Sequence, residues 1–314
     1  MKTILKIVIC KRIYGVVLLI ISSAICFYCN SLWGIETRES LHYPLHGICY
    51  SPFRDGESPN LGIFPGIDAI KEDLSILSKM TLNIRTYGTD DVLYEIPRLC
   101  NEFHINCYVG GWISGDESFN RKSVNNLIQI ANQRYDTTQG LIVGNEVLLR
   151  GDISESRLIE YIKKVKDTTN IPVTTAETFQ IYLKHPKIAD VVDIILIHVH
   201  PYCDKISIIN APQYVLDKWK EVRLAYPQKD IIIGEVGWPS KGEICGVAVP
   251  SEENQKKFLE EFRLLAEKNG IQYFFFSAFD ETWKKNGNEM EGHWGLHKTD
   301  RTKKPALLDL YKIE

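Results

Sequence analysis

Residues 230–239 read DIIIGEVGWP, and this stretch decides the fold that the sequence predicts. Its three consecutive isoleucines predict a buried β-strand. The strand ends at Gly234, and the carboxylate Glu235 follows at once. Residues 140–146, GLIVGNE, repeat the arrangement and end in Glu146. A charged residue directly after an apolar strand is expected where the strand ends, at the carboxyl end of the sheet.

The same kind of β-rich run recurs along the chain and predicts eight strands in all. The candidates are residues 46–50, 82–87, 105–110, 140–145, 172–176, 193–200, 230–235 and 272–279. Helical apolar spacing lies between them, most clearly in residues 67–80, 92–103, 123–135, 154–169, 213–225 and 252–269. A short connection at residues 181–185 and a last helix at 304–311 complete the alternation. Predicted N-caps are Asp68, Asp91, Ser154 and Ser251, and Gly270 is a predicted helix stop.

Strands that alternate with helices predict an α/β protein with a parallel sheet. Eight strands in one domain of residues 35–314 favour a closed (β/α)8 TIM barrel, for which about 250 residues are typical. A doubly wound open sheet is the alternative. It would usually carry a glycine-rich turn after its first strand, and residues 50–53, YSPF, do not form one.

The first 34 residues differ in character from the rest of the chain. Four bases come first, at Lys2, Lys6, Lys11 and Arg12, and residues 13–29 then carry no charge. This order predicts a signal-anchor or a signal peptide, with the bases on the cytoplasmic side. The body of the chain would then lie outside the cell, held by a single membrane span, or would be secreted or periplasmic after cleavage. A buried helix of the domain is the third possibility.

The overall charge argues against one class of partner. The formal net charge is 37 − 40 = −3, and without the four front bases it is 33 − 40 = −7. A nucleic-acid-binding protein usually carries a basic excess, so no nucleic-acid partner is expected. The cysteines of the body show neither a CxxC pair nor a disulfide framework.

In a TIM barrel, catalytic groups gather where the strands end. Polar and aromatic groups occupy several predicted strand ends: Arg85, Tyr87, Asn145, Glu146, Glu177, His198, His200, Tyr202, Glu235, Trp238, Glu281 and Trp283. Strands four and seven lie roughly opposite in a ring of eight, so Glu146 and Glu235 would face each other across its mouth. Paired carboxylates that flank a sugar are what glycosidic cleavage requires. Exposed Tyr and Trp rings there suit the apolar faces of sugars.

The two histidines of strand six, His198 and His200, lie on one face of the strand, as metal ligands can. A third ligand at suitable spacing is missing, so packed, hydrogen-bonded histidines are the favoured interpretation and no metal is predicted. No cofactor is indicated either. A Ser-His-Asp site would need a GxSxG turn, which the chain lacks.

Taken together, the motifs resemble glycoside hydrolase family 17, the β-1,3-glucanases, particularly its bacterial and fungal-wall members. The stretches that carry the resemblance are residues 47–53 (GICYSPF), 84–87 (IRTY), 143–146 (VGNE), 174–177 (TTAE), 200–202 (HPY), 233–239 (IGEVGWP), 279–284 (FDETWK) and 291–296 (EGHWGL). They span nearly the whole body. Plant members begin with Tyr-Gly where this chain has Tyr50-Ser51, so plant-like endo specificity is not implied.

The resemblance implies roles for individual residues. Glu146 corresponds to the general acid/base and Glu235 to the nucleophile. Asn145 would bind the 2-hydroxyl of the sugar, Tyr202 would hold the nucleophile, and Arg85 would keep Glu235 ionised. A supporting charged group corresponds to Glu281, Lys284 and Glu291. The other substrate-binding candidates are Tyr50, Tyr87, Glu177, Trp238 and Trp283.

The family is retaining, so the two carboxyls are expected about 5–5.5 Å apart, and neighbours should raise the pKa of Glu146. The expected substrate is a β-glucan polysaccharide or oligosaccharide. Four functions remain open: hydrolysis of β-1,3-glucan, transglycosylation that remodels glucan, a related barrel glycosidase with another linkage preference, and a catalytically inactive glucan-binding module. The presence of both glutamates argues against the last.

Overall fold

The computed structural model describes residues 44–285, 288–308 and 310. The predicted targeting segment, residues 1–34, lies outside this part of the chain. Within it, no helix is both long and apolar enough to cross a membrane.

Eight parallel strands close into a barrel in the order β1 to β8, each paired with its neighbours in sequence and β1 with β8. They are β1 Ile48–Cys49, β2 Asn83–Arg85, β3 Asn106–Gly111, β4 Thr138–Asn145, β5 Val173–Thr178, β6 Ile194–His198, β7 Asp230–Val236 and β8 Tyr273–Phe275. All eight predicted strands are present, and the (β/α)8 prediction is confirmed.

Ten α-helices lie within the described residues. They are α1 Ile67–Leu77, α2 Ile96–Phe103, α3 Glu117–Gln133, α4 Val147–Arg150, α5 Glu155–Lys166, α6 Phe179–Lys184, α7 Pro186–Val191, α8 Ala211–Ala225, α9 Glu252–Asn269 and α10 Pro305–Leu308. Short 3-10 turns occupy Pro59–Leu61, Asp91–Glu95, Thr282–Lys284 and Glu289–Gly292.

The helix boundaries follow from their caps. Ser154 and Ser251 accept hydrogen bonds from the first turns of α5 and α9, as predicted, and Gly270 ends α9 with a φ of 63°. The Asp68 prediction is wrong, because Gly66 is the N-cap of α1 and Asp68 lies inside the first turn. The Asp91 prediction is also wrong, because this residue begins a 3-10 turn that is capped by Asp90. Helix α3 begins six residues before its predicted start, because Asp116 caps it.

The core fills the barrel and the layer between strands and helices. Tyr108 and Phe274 meet inside the barrel with ring centroids 5.0 Å apart, while Phe258 and Phe262 of α9 stack against the outside of β8. With its interior filled by side chains, the barrel leaves open space for a ligand at its rim. Side chains at the carboxyl ends of the strands line that rim.

Candidate active site

A cleft of about 290 Å³ opens at the carboxyl ends of β4 to β8. Its polar lining includes Asn145, Glu146, His198, His200, Glu235 and Glu291, and its apolar lining includes Leu149, Phe179, Phe276 and Trp294. The cleft therefore contains both carboxylates that the sequence predicts as a catalytic pair.

Glu235 follows the apolar run of β7 and is almost fully buried. Its Oε1 accepts hydrogen bonds from Tyr87 Oη at 2.8 Å and from Arg85 at 3.1 Å. His200 Nε2 lies 3.1 Å from Oε2. Burial alone would raise the pKa of Glu235, but the cationic and hydrogen-bonding neighbours hold it well below its usual range. Glu235 is consequently ionised, as a nucleophile must be.

The hydrogen bonds from the described residues leave one lone pair of the Glu235 carboxylate free. A carboxylate has about four lone-pair directions, and Oε1 uses two of its own on Arg85 and Tyr87. Oε2 accepts only from His200 among the described residues. The free lone pair of this oxygen is therefore the one available to a bound substrate.

Arg85 lies beneath Glu235 because Gly234 leaves space for it. A Cβ at Gly234 would come within 3.1 Å of the Arg85 guanidinium, and the Gly234 carbonyl accepts from Arg85 at 2.8 Å. The same guanidinium donates to Asn145 Oδ1 and to His198 Nε2. Arg85 thus fixes groups from three strands, β4, β6 and β7, and the prediction that it supports the ionised Glu235 agrees with this geometry.

His198 links the two carboxylates. Its Nε2 lies 2.8 Å from Arg85, which can only donate, so this nitrogen accepts and the ring proton is on Nδ1. Nδ1 donates to Glu146 Oε1 at 2.7 Å. The two contacts therefore fix the orientation of the His198 ring, which is buried between Glu146 and the arginine that supports Glu235.

Glu146 lies between the end of β4 and the start of α4, where it is the N-cap of the helix. Its backbone is in the left-handed region, at φ 52°. About a quarter of its side chain is exposed to the cleft. Burial raises the pKa of Glu146, but the interactions with His198 and His200 together outweigh burial and place the pKa below its usual range. The expectation that protein neighbours raise this pKa is therefore wrong, because Glu146 accepts a hydrogen bond from His198 instead of facing an apolar wall.

Three predicted substrate-binding residues are buried instead. Trp238 is fully buried, packs on Phe258 and donates its indole N–H to Val249 at 3.0 Å. Tyr202 packs on Trp238 and donates to the Glu243 carbonyl, so it does not hold Glu235. Tyr50 donates to Asp73 on α1 at 3.1 Å.

A different tyrosine, Tyr87, holds Glu235, the predicted nucleophile. It was predicted as a substrate-binding residue, but its hydroxyl contacts Glu235 directly. Glu177 also differs from the prediction. It is fully buried, and its oxygens accept from the backbone N–H groups of Leu148 and Leu149 at 2.7 and 3.4 Å. Burial raises the pKa of Glu177 to about 7.

The predicted charged group forms one edge of the site. Lys284 Nζ contacts Glu281 Oε2 at 2.5 Å and lies 5.7 Å from the centre of the Tyr87 ring. Burial lowers the pKa of Lys284, but the carboxylates of Glu281, Glu235 and Glu291 together outweigh burial, so the pKa is raised. Glu291 lines the cleft, and Trp283 lies beside Lys284 with its ring centre 5.3 Å from Nζ.

His198 and His200 are the functional residues that the sequence left out of the predicted site. Both rings turn toward the cleft, and β6 pairs with β7 so that His198 is in register with Glu235. The HxH spacing at the end of a strand next to a catalytic strand was the available signal. Ligand atoms of His198, His200 and Glu235 lie within 4.8 Å of one another. Arg85 donates to the lone pair of His198 Nε2. That nitrogen is therefore not available as a metal ligand, and the positive guanidinium beside it would repel a cation.

Comparison with known proteins gives consistent relatives. The sequence profile of the BtgE/BtgC glycoside hydrolase domain matches residues 47–295. A protein of Aspergillus fumigatus named a probable glucan endo-1,3-beta-glucosidase is 31% identical over 87% of this chain. A glucan endo-1,3-beta-glucosidase of Emericella nidulans is 29% identical over 88% of it. The chain spans less than half the length of these relatives, 44% and 48%.

Solved structures agree on the fold. The glycoside hydrolase family 17 β-1,3-glucanosyltransferase of Rhizomucor miehei is 30% identical, with a TM-score of 0.74 over 84% of this chain and 96% of that one. An active-site mutant of the Rhizomucor enzyme, solved in complex with laminaritriose, gives a TM-score of 0.75. An endo-laminarinase of Formosa, 20% identical with a TM-score of 0.76 over 88% of this chain and 89% of that one, shares the fold.

Proposed function

The chain belongs to the BtgE/BtgC glycoside hydrolase family, and on that premise we propose that it cleaves β-1,3-glucosidic bonds in glucan with retention of configuration. The resemblance to family 17 seen in the motifs agrees with this membership. Named relatives act on β-1,3-glucan, which supports the substrate class.

One observation carries the chemistry. Glu235 is held ionised by Arg85 and Tyr87, and its Oε2, which accepts from a single donor among the described residues, borders the cleft that Glu146 also lines. In this proposal Oε2 attacks the anomeric carbon, and Glu146 gives a proton to the departing glycosidic oxygen. A covalent glycosyl-enzyme forms, and the Glu146 carboxylate then takes a proton from the incoming hydroxyl.

The protonation of Glu146 is the step that the substrate must help to bring about. Among the protein's own groups, a hydrogen bond from His198 favours the ionised carboxylate of Glu146. A bound sugar removes water from the quarter of the side chain that is exposed, which disfavours the charged form. Asn145, fixed by Arg85, borders the same cleft and suits the 2-hydroxyl of the sugar.

Transfer to a second sugar is the competing activity, supported by the match to the Rhizomucor glucanosyltransferase. Leu149 lines the cleft with its side chain half exposed, and an apolar wall of this kind suits an acceptor sugar better than water. The same double displacement then ends on a sugar hydroxyl: the donor glucan is cut in the first step, and the acceptor chain is lengthened by the transferred glycosyl group in the second.

A substrate panel tests the proposal. Laminari-oligosaccharides, cellulose-type and β-1,6-linked oligosaccharides are incubated with the protein, and products are followed by chromatography and proton NMR. Cleavage of β-1,3 links with an initial β-anomer supports it, and an initial α-anomer contradicts the double displacement. Products longer than the substrate identify transfer. Turnover of the other linkages alone would overturn the substrate assignment.

We further propose that residues 1–34 export the catalytic body, as an anchor or a cleaved signal. The four leading bases and the uncharged run at residues 13–29 support this. Amino-terminal sequencing of the protein recovered from membrane and medium separates the two forms. Protein found only in the cytosol would contradict export.

A further inference from the structure

The turn that carries Glu146 is conformationally unusual. Glu146 has φ 52° and ψ 34°, in the left-handed region that side chains other than glycine seldom occupy. Gly144, two residues earlier, has φ 86°. Such backbone persists only where the surrounding structure determines it, and it concentrates at functional sites. The position of the Glu146 carboxyl thus depends on what holds this turn.

Strand β5 supplies the support. The Glu146 backbone N–H donates to the Ala176 carbonyl at 2.7 Å, and the next residue, Glu177, accepts from Leu148 at 2.7 Å and from Leu149 at 3.4 Å. These donors belong to α4, which is a single turn and ends at once in Gly151 with φ 72°. A helix this short has little stability of its own, so external contacts fix it.

The burial of the Glu177 carboxylate is energetically unfavourable. Its side chain is fully buried, and among the described residues no cation forms an ion pair with it. Burying a carboxylate without a counter-charge is unfavourable unless strong hydrogen bonds compensate. The charge-assisted bonds to two N–H groups of one helical turn are the compensation, and both act on the segment that begins with Glu146.

We propose that Glu177 is a positioning residue of the reaction: through α4 it fixes the orientation of the general acid/base Glu146. It lies behind the turn and takes no part in binding sugar, which replaces the role predicted from the sequence. This inference rests on the proposed function.

The test uses the dependence on the leaving group. A positioned acid matters when the leaving oxygen needs a proton, as in glucan, and matters little when the leaving group is a dinitrophenolate. We therefore compare kcat/KM, which reports glycosylation, for laminarin and for 2,4-dinitrophenyl β-laminaribioside. Glu177→Ala is expected to lose roughly 30-fold on laminarin and less than about threefold on the aryl glycoside, since general acid catalysis contributes about 10²–10⁴-fold.

Three further variants complete the design. Glu146→Ala removes the proposed acid altogether, so it gives the largest expected difference in kcat/KM loss between laminarin and the aryl glycoside. Glu177→Gln keeps one acceptor oxygen for the 2.7 Å bond and should recover much of the laminarin activity. Asp193→Asn is the matched control, because Asp193 also accepts from a backbone N–H, that of Val173 at 2.8 Å, but at the opposite end of the barrel. It should affect both substrates equally.

The outcomes separate the two proposals. If the unmodified protein turns over neither substrate, the proposed function fails. If it is active and Glu177→Ala loses both activities by the same factor, or loses neither, the positioning role is overturned while the function stands. Thermal unfolding of every variant shows that the rates come from folded protein.

Discussion

Two buried carboxylates in this protein, Glu235 and Asp73, have similar hydrogen-bonding neighbours but pKa values shifted in opposite directions. Glu235 accepts from an arginine, a tyrosine and a histidine, namely Arg85, Tyr87 and His200. Asp73 on α1 accepts from two arginines, Arg301 and Arg54, and from Tyr50. The first lies at the cleft, and the second is sealed with an exposed fraction of zero.

The difference lies in the lone pairs. Arg301 donates to both oxygens of Asp73 at 2.8 and 2.7 Å, Arg54 adds a bond at 3.0 Å and Tyr50 one at 3.1 Å, so all four directions are filled. Burial dominates at Asp73 and raises its pKa despite Arg301, whereas the pKa of Glu235 is lowered. A carboxylate whose lone pairs all accept hydrogen bonds, such as Asp73, joins parts of the fold. A carboxylate with one free lone pair, such as Glu235, can react. Three comparisons between substituted proteins test this distinction.

Replacement of the two carboxylates by amides should give the largest contrast. We expect Glu235→Gln to lower kcat/KM on laminarin at least about a thousandfold, because the nucleophile is lost, while the fold survives. Asp73→Asn should leave the kcat of folded protein within about threefold, because Asp73 has no free direction toward a substrate. Steady-state kinetics with circular dichroism checks both, and undiminished activity of Glu235→Gln would refute the nucleophile assignment.

The stability effects should follow the opposite order. Asp73→Asn leaves Arg301 buried without its counter-charge and should lower the free energy of unfolding by about 3–5 kcal/mol. Glu72→Gln is the matched control, since Glu72 also contacts Arg54 but its side chain is 59% exposed. Urea unfolding measures both. A cost for Asp73→Asn as small as that of the control would remove the structural role.

The two tyrosines give a smaller version of the same contrast. Tyr87→Phe removes one charge-assisted hydrogen bond, of about 1.5–3 kcal/mol, from the nucleophile and should lower kcat roughly tenfold. Tyr50→Phe removes the equivalent bond from Asp73 and should reduce stability by about 1–3 kcal/mol without changing kcat. Equal effects of the two substitutions on kcat would contradict the division of roles.

The sequence predicted the barrel because its signals are local. Alternating strands and helices, with caps such as Ser154 and Ser251, occur at the expected positions. Both carboxylates and Arg85 were also found, since a charged residue after an apolar strand marks the rim. The start of α3 was missed because its first turn is polar, and only the cap at Asp116 signals it.

The side-chain directions beyond the strand ends were not predictable. Trp238 follows β7 as closely as His200 follows β6, and Tyr202 comes two residues after His200. Both Tyr202 and Trp238 nevertheless pack outward against α9 and the neighbouring loops. Once a strand ends, alternation no longer tells which side a residue faces. The tyrosine that holds Glu235 was therefore assigned to Tyr202 instead of Tyr87, because the choice depends on tertiary contacts between distant loops.

The fixed orientation of the His198 ring has a consequence for how each turnover is completed. Nε2 accepts from Arg85 while Nδ1 donates to Glu146, so the imidazole offers no path that would carry a proton from one carboxylate to the other. In the proposed double displacement, the proton that Glu146 gives to the departing sugar is therefore regained from the molecule that enters next. Water and a sugar hydroxyl both bring one, whereas an anionic nucleophile such as azide brings none and would release the sugar while leaving Glu146 ionised. Turnover with azide would then depend on solvent to restore the proton, through the quarter of the Glu146 side chain that is exposed.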